Sequence, residues 1–427
     1  MFPTEVWEKI LVHVDAASLV RLRTVSTTWN AIIAKHLRES CAWYKLCKST
    51  IPEKYWLILL ENSLHSTKLH RQASIHDEEG KFDNDIWITL YRAWIKWQNV
   101  EHFKKCTVHE FHPIPKHRPT ERITCCTVLG ELAAIGTSEG HLQVFNLRTN
   151  HLVFRCDQCE QVCDVKLCIQ GKNNRKIILI ATLLYNKSVV WNITDQKQLL
   201  KRSGDTICSG HGYYCSSLQH DKILVQNAVT GSCAPVRLFV KNFINAKNVK
   251  YSSMVITSDH HLCVLSNNGY YCIMDLEEAL HSAHSTLYMP DVKYIGTPKL
   301  GHVRQYCLFN PFVAFCTTEN GYLGVSVHCS KWRMYNVFPF FFSAVTAIFF
   351  HVRVLVLGLD CGDVHIFFVE NEMELKNLDL KSEKSRKIHV ASEPIVAVNI
   401  TEVSGEQKLL VATKSFLSHI ELDYGPS

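Results

Sequence analysis

From about Thr107 onward, short apolar runs that read as strands recur at a nearly constant spacing, and this recurrence limits the possible folds more than any other feature. Seven runs align as the opening strand of a unit: 123–128, 162–167, 213–218, 251–256, 305–310, 344–349 and 394–399. They stand roughly 40 to 55 residues apart, enough for one four-stranded antiparallel sheet per unit. In the first unit 131–137 supplies a second strand, 138–140 a turn, 141–146 a third strand and 151–155 a fourth. The sixth repeats the order with 352–357, a corner at 360–363, and 364–369. Gly and Asp at these corners suit tight hairpins. After Pro394 three strands at most remain, so the last unit lacks one. The run 106–111 fits as its outer strand, which joins the two ends of the domain and removes free sheet edges. Seven sheets closed into a ring are the expectation, and a two-sheet sandwich array is the alternative.

The first 47 residues follow a different period. Pro3 suits a first helical turn, where its missing N–H has no partner to lose, and Glu5 complements the helix dipole. Val6, Trp7, Ile10, Leu11 and Val14 then recur at three- and four-residue steps, which predicts one apolar face. Asp15 or Ser18 can cap a second short helix carrying Leu19, Leu22 and Val25. Ser26 can cap a third, with Trp29, Ile32, Ile33 and Leu37 on one stripe. A segment this small buries too little of itself to be stable alone, so it needs a partner.

These residues resemble an F-box: Phe2-Pro3, Glu5-Val6, Ile10-Leu11, Val14-Asp15, Ser18-Leu19, Leu22, Val25 and Trp29 fall at its spacing. Phe2 stands where Leu is commoner and Ser26 where Cys is common. Trp43-Tyr44-Lys45-Leu46-Cys47 is similar to the aromatic tail that often follows the motif. The resemblance implies docking onto the Skp-type adaptor of an SCF ubiquitin ligase, and through it a cullin, by Phe2, Pro3, Val6, Ile10, Leu11, Val14, Leu19, Leu22, Val25 and Trp29. A helical cap packing on the chain's own downstream domain is the plainer alternative.

Between about Lys48 and Lys105 lies a connector. Residues 55–60 read as a buried helical turn or two, and the polar stretch 65–81 as a flexible loop. Residues 85–97 return to helical spacing with Trp87, Trp94 and Trp97 on more than one face, as in a helix buried between two bodies. This stretch resembles the Trp-containing helix joining F-box to propeller in F-box/WD-repeat proteins. The expected architecture is therefore α plus all-β: an F-box at 1–47, a helical connector at 48–105, and a degenerate WD-like β-propeller at 106–427, of seven blades. The Trp-Asp pair of WD repeats is absent; Phe145-Asn146, Val190-Trp191-Asn192 and Met274-Asp275 stand in its place, and one Gly-His pair is present at Gly210-His211.

Composition narrows the function. The 47% hydrophobic and 20% charged residues are those of a globular chain. A net charge of +6 over 427 residues is too small for a dedicated nucleic-acid binder. The opening MFPTEVWEKI has no secretory pattern, and no apolar run reaches membrane-spanning length. The 18 cysteines are thus expected to be free thiols in the cytosol or nucleus. Cys156, Cys159, Cys163 and Cys168 contain one CxxC pair, short of a four-ligand metal site. None of the 23 histidines falls in a catalytic or zinc motif, and no hydrolase elbow or phosphate loop is present. No catalytic residue, metal or cofactor is expected.

The remaining expectation is a substrate-recognition subunit that raises the effective concentration of a target near a conjugating enzyme. A non-catalytic scaffold that binds the adaptor outside ubiquitination is the alternative. Lys116, His117, Arg118 and Arg122 precede the first blade, and Lys381, Lys384, Arg386 and Lys387 the seventh. Ring closure sets these basic loops side by side, either as ordinary solvated charge or as a patch for an acidic or phosphorylated peptide. Phe340 and Phe341, in the aromatic run 340–342, either stand at the rim of that face or extend the following strand into the core.

Overall fold

The computed structural model describes the chain outside residues 1–3, 12, 40–41, 57–58, 60–83, 116, 171–175, 186, 204–206, 211, 218–221, 228–229, 238–249, 258–259, 283–290, 382–384, 404–405 and 424–427. Two compact units result, 1–99 and 100–427. Phe2, Pro3, Lys116, Lys384 and the polar loop 65–81 lie outside the described residues.

The first unit holds α1 (Thr4–Leu11), α2 (Ala16–Leu22), α3 (Thr27–Glu39), α4 (Ala42–Thr50) and α5 (Asn84–Gln98). Asp15 starts α2 by accepting the Ser18 amide at 2.9 Å, and Ser26 accepts the Trp29 amide at 3.2 Å at the start of α3. Such caps satisfy N–H groups that have no intrahelical partner. Leu11, Leu19, Ile33 and Leu37 are buried, and Trp7 meets Trp29 at 4.7 Å between ring centres. The aromatic α5 packs on α4: Tyr44 lies 5.0 Å from Trp87 and Trp43 5.7 Å from Tyr91. The Cys47 thiol donates to the Trp87 carbonyl at 3.3 Å, and burial pushes that thiol up to about 12.

The second unit is a seven-bladed propeller. It opens with β1 (Lys105–Phe111). Blade 1 is β2 (Ile123–Leu129), β3 (Leu132–Thr137), β4 (His141–Asn146) and β5 (His151–Asp157). Blade 2 is β6 (Val162–Gln170), β7 (Lys176–Leu183), β8 (Lys187–Asn192) and β9 (Lys197–Ser203). Blade 3 is β10 (Ile207–Gly210), β11 (Tyr213–Ser217), β12 (Lys222–Asn227) and β13 (Cys233–Arg237). Blade 4 is β14 (Tyr251–Ile256), β15 (His261–Ser266), β16 (Tyr270–Asp275) and β17 (Asp291–Tyr294), with α6 (Leu276–Ser282) between the last two. Blade 5 is β18 (Val303–Asn310), β19 (Val313–Thr318), β20 (Tyr322–Val327) and β21 (Arg333–Asn336), followed by the single turn α7 (Phe338–Phe341). Blade 6 is β22 (Val345–His351), β23 (Val354–Leu359), β24 (Asp363–Phe368) and β25 (Ser385–His389). Blade 7 is β26 (Ile395–Val403), β27 (Glu406–Thr413) and β28 (Leu417–Asp423), with β1 as its outer strand.

The inner strands β2, β6, β10, β14, β18, β22 and β26 neighbour one another in that order, and β26 meets β2 again. Closure is made by β1 on β28, in register from Lys105 opposite Asp423 to Phe111 opposite Leu417. The run 213–218 is not an inner strand: its described part forms β11, the second strand of blade 3. The inner strand there is the four-residue β10, too short to show a two-residue period. Gly210 pairs with Tyr213 in the first hairpin of that blade, so it does not lie in the connector entering a blade; His211 lies outside the described residues.

Two local hydrogen-bond patterns repeat where the Trp-Asp pair is missing. Thr137, Ser266 and Thr318 each end a second strand, and each hydroxyl accepts the amide of the residue that opens the third, at 3.0 Å. Asn146, Asn192, Asn227 and Asp275 each end a third strand and accept an amide two or three residues on. Side-chain oxygens at such corners imitate a backbone turn and fix the hairpin locally.

Candidate functional site

Two surfaces carry side chains suited to docking another protein, one on each unit. On the helical unit the expected adaptor-binding residues divide by burial. Leu11 and Leu19 are internal, Leu19 at 0% exposure, while Val14, Leu22 and Trp29 are half-buried. Ile10, 44% exposed, and Val25, 63% exposed, stand in solvent with Val6. Val20 joins them as an exposed apolar residue of α2 that the periodicity did not single out. Leu19 and Leu11 thus hold the helices together, and the exposed residues are the ones able to meet a partner. Arg23 Nε donates to Asn30 Oδ1 at 2.7 Å and ties the end of α2 to α3.

On the propeller, one face is built from the connectors that enter the inner strands and from the turns between second and third strands. The connector into blade 1 bends at Arg118, whose amide donates to the Pro115 carbonyl at 2.9 Å. This places Arg118 over Glu121, a fully buried carboxylate. Glu121 Oε1 lies 2.5 Å from His141 Nδ1, and Arg118 Nη1 lies 3.6 Å from Glu121 Oε2 and 2.7 Å from His141 Nε2. Burial works to raise the Glu121 carboxyl, but hydrogen bonds from Thr137 and His141 and the neighbouring positive charges outweigh it and hold it below the usual range. Arg118 is therefore not a free cation of a basic patch. Arg122 is exposed, but its Nη1 folds back onto the Pro119 and Glu121 carbonyls at 2.5 and 3.0 Å.

Glu121, Glu139 and His141 also bring potential metal-ligand atoms within 4.8 Å of one another. The Arg118 guanidinium already sets positive charge against this group, so the cluster reads as a brace for the connector. Cys156, half-buried, Cys159 and Cys163, both exposed, and Cys168, buried, form no part of it.

The second basic run is placed differently from expectation. Arg386 and Lys387 lie on β25, the outer strand of blade 6, and not in the connector into blade 7. Strand pairing puts Lys387 opposite His365 and lets its ammonium reach Asp363 Oδ2 at 2.7 Å. The Arg386 guanidinium lies 5.5 Å from the centre of the Phe103 ring. Among the described residues, the two basic segments thus do not form one patch at the ring's seam.

The aromatic run is split by the turn α7. Phe341, at 8% exposure, points into blade 6, 4.6 Å from the His365 ring and 6.3 Å from Phe367. An exposed rim position for Phe341 is thus corrected: one helical turn, unlike a strand, carries it inward. Phe338 and Phe340 are exposed, and Phe342 is 88% exposed with its backbone in the left-handed region at φ 50°. Phe342 is thus the most exposed of the three phenylalanines.

Residues 1–39 match the F-box domain. A comparison with characterised protein sequences finds no match to the chain. The chain carries an N-terminal F-box, a few further helices and a seven-bladed β-propeller.

Proposed function

We propose that the protein is a non-catalytic substrate-recognition subunit of an SCF-type ubiquitin ligase. On this reading residues 1–47 dock the Skp-type adaptor, residues 48–105 connect, and a degenerate WD-like propeller at 106–427 presents target proteins. F-box domains generally bind Skp-type adaptors, and the F-box match over 1–39 carries the proposal. The apolar side chains that this segment leaves in solvent, Val6, Ile10, Val20 and Val25, support it, because a small apolar face is stabilised when a partner covers it. Recruitment of the adaptor and a cullin would hold a bound target beside the conjugating enzyme, and the rate gain would come from effective concentration alone.

The test is affinity capture of the adaptor and cullin by the full chain against an Ile10→Asp, Val25→Asp variant. Both proteins should accompany the wild type and neither the variant. Adaptor without cullin would point to a scaffold outside ubiquitination, and retention of both by the folded variant would overturn the docking assignment.

A further inference from the structure

The aromatic turn between blades 5 and 6 stands in an unusual charge setting. Residues 337–344 carry no charge, and the turn exposes Phe338, Phe340 and Phe342. It is held firmly from below: Phe341 is packed into blade 6, and the Phe342 amide donates to the Phe338 carbonyl at 2.9 Å. A bulky residue in the left-handed region costs energy, which a folded chain retains most readily where the side chain has a task. The neighbouring connector adds exposed Leu300, and Gly301 beside it abuts Asn320 in the turn of blade 5.

The turns that flank these apolar groups carry carboxylates. Glu319 stands in the blade 5 turn, against which Phe338 packs at Gly321. On the other side the Asp360 amide donates to the Ala344 carbonyl at 2.9 Å. Gly362, in the same turn, abuts the connector that carries Glu393. None of the three carboxylates has an ion-pair partner among the described residues. Cations also stand on this face: Lys299 and His302 flank Leu300 in the connector before blade 5, where the His302 carbonyl accepts the Glu319 amide at 2.9 Å, Arg304 lies on the inner strand β18 and Lys414 in the turn of blade 7.

We propose that Leu300, Phe338, Phe340 and Phe342 dock an apolar segment of a partner protein that is flanked by lysine or arginine, oriented by Glu319, Asp360 and Glu393. The proposal rests on the substrate-recognition reading and names the class of segment recognised. It reverses the sign expected from the basic runs, whose arginines are occupied by Glu121, by backbone carbonyls and by Phe103. Aromatic groups supply most of the affinity in such a surface, and the charges supply register and choice of partner.

The probe is a library of random peptides of about twelve residues, selected on the full chain and read by sequencing. Lysine and arginine should be enriched about threefold or more beside a selected apolar residue, and the enrichment should shrink as salt rises. A Glu319→Gln, Asp360→Asn, Glu393→Gln variant should keep the apolar selection and lose the basic one. A Phe340→Ser, Phe342→Ser variant, altered only at exposed side chains, should lose both. Acidic enrichment, no selection at all, or selection indifferent to the two phenylalanines would overturn the proposal. Adaptor capture by the same protein is scored in parallel. Its loss with basic–apolar selection intact would defeat the ligase reading alone, and the converse would defeat this docking alone.

Discussion

Phe338 lies directly against Gly321: a β-carbon on that glycine would stand 2.1 Å from Cε2 of the ring. Gly321 has φ 73°, and its carbonyl accepts the Val337 amide at 3.3 Å. The turn of blade 5 and the aromatic connector are therefore fitted to each other. Gly321→Ala should lower propeller stability by about 1–2 kcal/mol through backbone conformation alone, plus the collision with the ring. Phe338→Ala in the same chain should return the second part and leave the first. Urea unfolding of the two single variants and the double variant separates them.

At the equivalent turn of blade 6 the obstacle is backbone. A β-carbon on Gly362 would meet the Ala391 carbonyl oxygen at 1.9 Å. No side-chain substitution can relieve that contact, so Gly362→Ala should destabilise more than Gly321→Ala and should have no single-site rescue. Thermal unfolding of both variants under one set of conditions gives the order.

In the F-box, Leu19 and Ile10 should fail in different ways. Truncating the fully buried Leu19 to Ala should cost about 2–5 kcal/mol of folding stability, because the surrounding helices cannot close the space completely. Ile10→Asp should leave unfolding of the free protein nearly unchanged and reduce adaptor affinity about tenfold or more. Calorimetric titration with purified adaptor, beside a denaturation curve, distinguishes loss of fold from loss of contact.

Charge reversal at the first connector should also separate two arginines. Arg118→Glu sets a second carboxylate against buried Glu121 and removes its nearest guanidinium, so the propeller should lose about 3–5 kcal/mol. Arg122→Glu, altering an exposed side chain whose partners are carbonyls of its own loop, should cost far less. Urea midpoints of the two variants report the difference.

The seam between β1 and β28 should weaken in mild acid. His419 stands opposite His109 across it. Burial, then the charges of Lys408 and His109, lower the His419 imidazole from 6.5 to about 4. The unfolded chain therefore binds a proton below about pH 6.5 that the folded chain refuses until about pH 4. Stability is fully present above the first value and falls as pH drops between the two. His419→Gln should flatten the dependence of the urea midpoint on pH within that window, whereas acid loss at lower pH, where Glu421 and other carboxylates protonate, should persist.

Much of this architecture could be read from residue order. The two-residue period and its spacing located the inner strands of six blades and identified the strand that closes the ring. Asp15 and Ser26 marked helix starts because capping is a local matter of one side chain and the next turn. The errors fall where a partner is remote or a segment is short. Four-residue β10 has no period to detect. Arg118 reads as a free cation until the fold brings His141, 23 residues away, against it. Arg386 and Lys387 read as loop residues because an exposed outer strand can be as polar as a loop. Phe340, Phe341 and Phe342 look alike in sequence, and only the helical turn decides that the middle one faces inward. The repeated corner, a hydroxyl residue three positions before Gly in Thr137–Gly140, Ser266–Gly269 and Thr318–Gly321, was visible throughout, but its meaning depends on knowing which residues open the third strand.

Phe111 and Leu417 face each other across the seam, yet roughly three hundred residues of synthesis separate them. At ordinary elongation rates β1 waits about 15–60 s for its partner strand. Until β26 is made, β2 at one end of the unfinished arc and the newest inner strand at the other both lack their final neighbours. A chain terminated just before Leu417 would keep its F-box, six complete blades and the strands β26 and β27, but β1 would have no strand to pair with. Such a product would offer chaperones and proteases the unpaired edges of β1 and β27, so the last strand decides whether the whole molecule is kept.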